Sequence, residues 1–309
     1  MKTPQLLIGD RRTCTINGKS LVTPHKAVKV TTTESKVSLL INRKVKNDTP
    51  IDIILLPGKQ PLEYDFTFGK ESHWKVNLFV ILAKNTESLS MNLSFKENSN
   101  IEINQMVHGT VEKLAKVNRS VTLRSQAHVQ LTTAILTSGK IQLMDKTLLQ
   151  GEYADYLGNM LVIGKNKDEV MVHQSVEHQA KHTTSLMNNS LVSNDEARLK
   201  FEIFGTIQKY QAKSSCFQHS KGIILGEKAW IEVDPKLIIN EFDVEAGHGA
   251  AVGQINQDEL YYLSSRGLDE ALAKRLIIQG YTDPFVTKFE YMNHQKYVNQ
   301  AIKNHMGGR

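Results

Sequence analysis

The stretch SLSMNLSF, residues 88–95, decides the fold because apolar and polar residues alternate along its whole length. Leu89, Met91, Leu93 and Phe95 fall on one side of an extended chain, while serine and asparagine fall on the other. A helix would instead repeat its apolar residues at every third or fourth position. The stretch therefore predicts a β-strand with one buried face and one more polar face.

The same alternation recurs through a proline-free block between Pro61 and Pro235. Polar residues at 96–100 and 188–194 separate the runs, as loops do between strands. Short strands at a spacing of about ten residues fit a sandwich, a barrel or a β-solenoid. The length of the block suits a solenoid, which grows by adding turns. The further alternating runs contain Val76, Leu78, Val80 and Leu82; Ile101 and Ile103; Val121 and Leu123; Ala127, Val129 and Leu131; and Leu199, Phe201 and Ile203.

The pattern becomes helical after about Ile255. Asn256 and Glu259 have the spacing of an N-cap and its capping box, and Gly267 is typical of the residue after a helix end. Two more helices are predicted, one from Asp269 to Gly280, with Ala271, Leu272, Ala273, Leu276 and Ile277 as its apolar stripe, and one over about 285–304. We therefore predict a short basic N-terminal segment over 1–60, a β core over 61–255 and a small helical C-terminal domain over 256–309.

Charge is concentrated at the N-terminus. The chain has 309 residues and a formal net charge of +6, and residues 1–50 hold ten of the Lys and Arg residues but only three acidic ones. Such a segment can bind nucleic acid or an acidic partner, or it can be a solvated, loosely ordered leader. Nucleic acid is the less favoured partner because no nucleic-acid-binding motif accompanies the charge.

Composition and motifs exclude several classes of protein. No run of apolar residues is long enough for a membrane span, and residues 1–12 lack the pattern of a secretory signal, so we expect a cytoplasmic chain. Cys14 and Cys216 are far apart, so the chain by itself is not expected to hold a four-cysteine cluster or zinc site. The sequence has no phosphate-binding glycine loop, so ATP hydrolysis by this chain is not expected.

Two segments within residues 178–281 resemble a known family. They are DPKLIINEFDVEAGHGAAVGQI at 234–255 and LYYLSSRGL at 260–268. Their residues, order and spacing resemble the core of the SufB and SufD proteins of iron–sulfur cluster assembly, and most of all SufD of Gram-positive bacteria.

The resemblance implies a fold, partners and a role. The fold would be a right-handed parallel β-helix followed by a helical C-terminal domain. The chain would pair with a SufB-like subunit through the β-helix ends and dock SufC, an ATPase of the ATP-binding-cassette type, through its C-terminal helices. It would be a non-catalytic scaffold that holds no cofactor stably, although a transient iron–sulfur cluster shared with SufB is possible. Self-association as a homodimer also stays open.

The resemblance singles out His248 as a cluster-assembly and interface residue and as a possible iron ligand. A neutral imidazole can ligate iron, and Gly247 and Gly249 beside it permit close backbone approach or unusual dihedral angles. Two family thiolates are missing: Ala246 stands where many SufD proteins have cysteine, and Ser220 lies near the position of a SufB cysteine. Gly249 also replaces a SufB glutamate. These departures point to a SufD-like chain and away from a cluster held by this chain alone.

Cys216 and His219 form a second candidate site, in which a protonated imidazole would lower the pKa of the thiol and make it nucleophilic. In a strand these two residues point to opposite faces, so an inert buried thiol is the favoured interpretation. His173, His178 and His182 suggest a metal cluster, but a structural role in one turn of the solenoid is the favoured interpretation.

Two other functions stay open at this stage. β-Helix proteins include carbohydrate-active enzymes, which use a pair of carboxylates as acid and base. The acidic residues here are scattered along the sequence. The basic N-terminus also allows a protein that binds an anionic partner, with binding that weakens steeply as salt rises.

Overall fold

A computed structural model describes residues 13–23, 25, 27–41, 50–58, 61–289 and 292–306. The strands are β1 (Thr13–Asn17), β2 (Ser20–Thr23), β3 (Val28–Thr32), β4 (Lys36–Ile41), β5 (Ile51–Leu56), β6 (Leu62–Phe68), β7 (His73–Leu82), β8 (Ser88–Phe95), β9 (Asn100–Thr110), β10 (Ala115–Leu123), β11 (His128–Ser138), β12 (Lys140–Leu149), β13 (Asp155–Gly164), β14 (Glu169–His178), β15 (Thr184–Ser193), β16 (Arg198–Ile207), β17 (Ser215–Ile224), β18 (Trp230–Ile239) and β19 (Glu245–Gln254). The helices are α1 (Gln257–Ser265), α2 (Glu270–Val286) and α3 (Met292–Met306).

From β4 onward, successive strands alternate between two sheets. Sheet A has the order β19-β17-β15-β13-β11-β9-β7-β5-β1-β2, and sheet B has the order β18-β16-β14-β12-β10-β8-β6-β4-β3. Neighbouring strands are parallel except for the pairs β1 with β2 and β3 with β4. Each turn thus adds one strand to each sheet. This confirms the predicted mainly β fold and the parallel β-solenoid with C-terminal helices.

The core lies between the two sheets and is built by the alternation seen in the sequence. In β8 the four apolar residues are buried, while the polar residues between them are half exposed. Similar side chains stack at equivalent positions of neighbouring turns. The rings of Phe68 and Phe95, for example, have centroids 4.9 Å apart. Burial of apolar area at about 25 cal/mol per Å² is the main term that holds such a stack together.

The turns at one edge of the solenoid also stack. Asn98 and Gln126 have positive φ, a conformation that non-glycine residues rarely adopt. The N–H of Asn98 donates to the carbonyl of Ser125 in the next turn at 3.0 Å, and Gln126 donates to Glu152 at 2.9 Å. Hydrogen bonds between turns therefore hold this backbone conformation and fix the stacking register.

The C-terminal helices lie along the outer face of sheet A. Phe79 on β7 packs against Phe289 after α2 and against Tyr297 on α3, with ring centroids 5.6 and 5.9 Å apart. A second apolar core forms here, outside the solenoid. No helix in the described ranges combines the length and apolarity needed to cross a bilayer.

Both predicted ends of the first helix are confirmed, whereas the predicted end of the second helix is wrong. Asn256 caps α1 by accepting a hydrogen bond from the N–H of Asp258, and Gly267 follows the helix with φ +90°. The second helix does not end at Gly280 but continues through Pro284 to Val286. Burial of its last turn against sheet A outweighs the poor helix propensity of these two residues.

The strands begin before the predicted core boundary at residue 61. Within the described part of 1–60, β4 pairs with β6 and β5 pairs with β7, so this part belongs to the sheets and is not a loosely ordered leader. Residues 1–12 and 42–49, which carry much of the predicted basic segment, lie outside the described residues. The predicted loop at 188–194 is also wrong, because Asn188 and Asn189 lie inside β15.

Candidate functional site

The C-terminal end of the solenoid is open. β18 and β19 each pair with an earlier strand on one side only, which leaves the other backbone edge without a ladder partner in the described chain. Apolar residues of this last turn, including Ile239 and Val252, are exposed because no further turn covers them. Solenoids need a cap at each end, and an unpaired sheet edge is a template for another chain.

His248 lies on β19 at the mouth of the solenoid. It pairs in register with Gln218 of β17, whose side chain is buried in the interior. Partners in a parallel ladder point the same way, so His248 faces the interior side of the open end. Its side chain is exposed and forms no hydrogen bond or ion pair with the described residues. Ala246 stacks on Cys216 in the same way.

The two glycines beside His248 have different surroundings. Neither has the positive φ that was one predicted reason for glycine here. A Cβ on Gly247 would lie 3.2 Å from the ring of Phe217, so this position is crowded. A Cβ on Gly249 would meet nothing within 4 Å, so the strand is open on that side.

Cys216 and His219 lie on opposite faces of β17. Cys216 is buried in the interior, and burial raises the pKa of its thiol, while a hydrogen bond with Ser185 acts in the opposite direction. His219 is exposed on the outer face of sheet A. The structure therefore does not allow His219 to activate this thiol.

The three clustered histidines of the sequence are separated in space. His173 lies on the outer face of sheet B beside Glu202, and His182 lies in an edge turn stacked on Tyr153. His178 is buried between Thr183 and Ser185, at 2.8 Å from each hydroxyl. Among the described residues, no group of three or more His, Cys, Asp or Glu side chains could hold a metal ion. His248 therefore has no further protein ligand for iron among these residues.

Exposed aromatic residues lie at two places near this end. Phe242, in the turn between β18 and β19, is fully exposed. Tyr261 and Tyr262 are exposed on α1, and Leu272 and Leu276 are exposed on α2. Phe242 was not predicted from the sequence. Its position between the acidic residues Glu241 and Asp243 could have indicated an exposed turn. Exposed aromatic side chains of this kind are typical anchors of protein interfaces.

The region that contains this open end is similar to known proteins. The family model described as "SUF system FeS cluster assembly, SufBD core domain" matches residues 71–281. The iron–sulfur cluster assembly protein SufD of Bacillus subtilis is 28% identical over 206 residues, which cover 64% of this chain and 47% of that protein. SufD of Escherichia coli is 25% identical over 135 residues, which cover 44% of this chain and 32% of that protein.

An archaeal relative extends the similarity toward the N-terminus. The iron–sulfur cluster assembly SufBD family protein of Pyrococcus horikoshii is 26% identical over 266 residues, which cover 81% of this chain and 57% of that protein. The chain spans about half the length of these two curated relatives.

Proposed function

This chain belongs to the SufB/SufD family of iron–sulfur cluster assembly proteins, and we propose that it is a SufD-like scaffold subunit that pairs with a SufB-like chain. The observation that carries the proposal is the open last turn, which presents His248, unpaired backbone edges and exposed apolar side chains together. The shared iron–sulfur cluster is the product of the assembly and not a resident cofactor of this chain.

The edges of β18 and β19 support pairing with another β-helix. Each strand has ten residues and ends a different sheet, so two strands of a partner β-helix could continue the two ladders at once. Phe242 would be buried in this contact, as would Ile239 and Val252. A second copy of this chain has the same edges to offer, so a homodimer in the absence of a SufB-like partner belongs to the proposal.

His248 would contribute one ligand or one proton-transfer group to the cluster that forms at this interface. Its imidazole makes no hydrogen bond or ion pair with described residues, so it does not stabilise this chain through polar contacts. The soft thiolate ligands that iron–sulfur chemistry prefers would come from the SufB-like partner, because Ala246 and Ser220 supply none here.

The exposed face of α1 and α2 supports docking of a SufC-like ATPase. Tyr261, Tyr262, Leu272 and Leu276 are exposed on neighbouring turns of these helices, and buried aromatic side chains carry most of the energy of many interfaces. ATP hydrolysis would belong to this partner, and the chain itself would act as a non-enzymatic scaffold in the cytoplasm.

The test is co-purification of this chain with SufB-like and SufC-like partners, followed by iron and sulfide measurement. We expect a ternary complex, and we expect His248→Ala to keep the complex but lose most of the bound cluster. His73→Ala is the matched control, because His73 lies in β7, far from the open last turn, and this variant should retain the cluster. Failure of the wild-type chain to form any complex would contradict the proposal.

Two further variants separate the two surfaces. Phe242→Asp should weaken binding of the SufB-like chain and leave the ATPase bound, because it places a charge only at the open turn. Tyr261→Asp should have the reverse effect. Loss of both partners in each variant, with unchanged thermal unfolding, would mean that the surfaces are assigned wrongly.

A further inference from the structure

A cleft of 530 Å³ lies on the outer face of sheet A beside α2. Its floor is formed by β11, β13, β15, β17 and β19, and one wall is formed by Pro284, Phe285 and Lys288 at the end of α2. This is the size of a typical small-molecule site, about 300 to 1,000 Å³. The cleft lies on the opposite side of sheet A from the solenoid interior and needs no second chain to form.

The floor of the cleft is a ladder of polar side chains in register. Thr132, Asn159, Asn188 and His219 occupy the same position in four successive strands. Asn188 Nδ2 donates to Asn159 Oδ1 at 3.0 Å, and Asn159 Nδ2 donates to Thr132 Oγ1 at 3.4 Å. Each amide has a second N–H, so the ladder retains donors for a ligand in the cleft.

The ionisable side chains that line the cleft are all basic. His219, Lys221 and Lys288 line it, and no aspartate or glutamate does. Lys221 Nζ lies 4.6 Å from the centre of the Tyr281 ring. Within the described part of the chain, none of these three basic side chains forms an ion pair. Basic side chains without an internal counter-ion raise the local concentration of anions.

Apolar side chains complete the cleft. Leu157 on the floor and Pro284 on the wall offer a surface for a flat apolar group beside the lysines. We propose that this cleft binds a small organic anion, in which a phosphate or carboxylate meets Lys221 and Lys288 and a flat apolar body lies against Leu157 and Pro284. Gly249 and Ala251 of β19 also line the cleft, so the bound anion would touch the strand that carries His248.

The test uses 1-naphthyl phosphate and 1-naphthoate as probes, with calorimetry on the full chain. 1-Naphthol is the matched neutral control. We expect saturable binding of at least one anion at a single site, and binding of 1-naphthol at least about tenfold weaker, because a charge-assisted hydrogen bond supplies that much affinity. Which anion binds more tightly then identifies the headgroup, phosphate or carboxylate.

Variants locate the binding site. Lys221→Met with Lys288→Met should weaken binding of the preferred anion by at least about tenfold. Ala251→Phe should abolish binding by filling the cleft. Lys181→Met, an exposed lysine in an edge turn, is the control and should change affinity by less than about twofold. Thermal unfolding of each variant must match the wild type.

Three results would overturn the inference: no binding of either anion at millimolar concentration, equal binding of 1-naphthol, or unchanged binding in the double variant. The assay uses this chain alone. Its failure therefore leaves the proposed complex with the SufB-like and SufC-like partners untouched, and the failure of that complex leaves this assay valid.

Discussion

Nε2 of His294 lies 3.3 Å from Oδ2 of Asp52, and this contact joins α3 to β5 near the N-terminal end of the solenoid. Both side chains are buried, and Asp52 also accepts a hydrogen bond from Asn77 at 2.8 Å. At the other end of α3, His305 Nε2 lies 3.3 Å from Asp168 Oδ2. The last helix is therefore fastened to the body at both of its ends by a histidine and an aspartate.

Asp52→Ala should destabilise the protein markedly, because it leaves the polar atoms of His294 and Asn77 buried without this acceptor. The expected loss in the free energy of unfolding is about 3 kcal/mol, measured by urea denaturation. Asp155→Ala is the matched control, since Asp155 faces His128 at 3.6 Å in an exposed pair. Exposed pairs contribute less than about 1 kcal/mol. Equal losses in the two variants would contradict the fastening role of Asp52.

A second buried pair lies inside the solenoid. Arg119 donates two hydrogen bonds to Asp145, at 2.9 and 2.6 Å, and further ones to Gln105 and Thr133. Arg119→Met alone should cost about 4 kcal/mol in the free energy of unfolding, because the Asp145 carboxylate stays buried without its partner. Arg119→Met with Asp145→Leu should cost clearly less in the same denaturation assay. A double variant as unstable as the sum of the single variants would show that the pair is not coupled.

Gly151 shows how tightly the edge turns stack. A Cβ at this position would lie 1.9 Å from the backbone N of Ser125 in the preceding turn. Gly151→Ala should therefore lower the free energy of unfolding by roughly 2 kcal/mol or more, since the backbone must move. Gly253→Ala is the control, because a Cβ there would meet nothing within 4 Å. Similar melting temperatures for both variants would mean that the turns adapt freely.

Much of the fold follows from local pattern. The alternation of β8 identified a strand with a buried face, and Asn256 and Gly267 marked the ends of α1. The pairing of strands did not follow, because successive turns have different lengths. The register advances from His73 to Asn100 in one turn and from Thr184 to Ser215 in another, so no fixed repeat is visible.

The sites depend on contacts that a local pattern cannot show. His248 was identified through resemblance alone, and its position at an open end required the whole ladder. Asn188 was interpreted as part of a loop because asparagine is common in turns, whereas here it stacks between Asn159 and His219. The cleft also needs α2 to fold back over sheet A, with Lys288 brought beside Lys221.

His178 gives the interior a titratable group that must stay neutral. Thr183 Oγ1 donates to the carbonyl of Ala180, so the His178 ring proton is assigned to Nδ1, and Nε2 accepts from Ser185. Burial lowers the pKa of His178 to about 4, and a hydrogen bond with the backbone of Thr183 only partly opposes this. In the unfolded chain a histidine has a pKa of about 6.5.

Acid should therefore destabilise the protein through His178. The unfolded state binds a proton near pH 6.5, whereas the folded state resists it until about pH 4. The contribution is fully present above about pH 6.5 and is lost as the pH falls toward 4, by up to about 3 kcal/mol. His178→Gln should be less stable than wild type near pH 7 but should show a flatter dependence on pH between these limits, measured by urea denaturation. His73→Gln, at an exposed position, should keep the wild-type slope, and a wild-type slope in His178→Gln would assign the acid sensitivity to other groups.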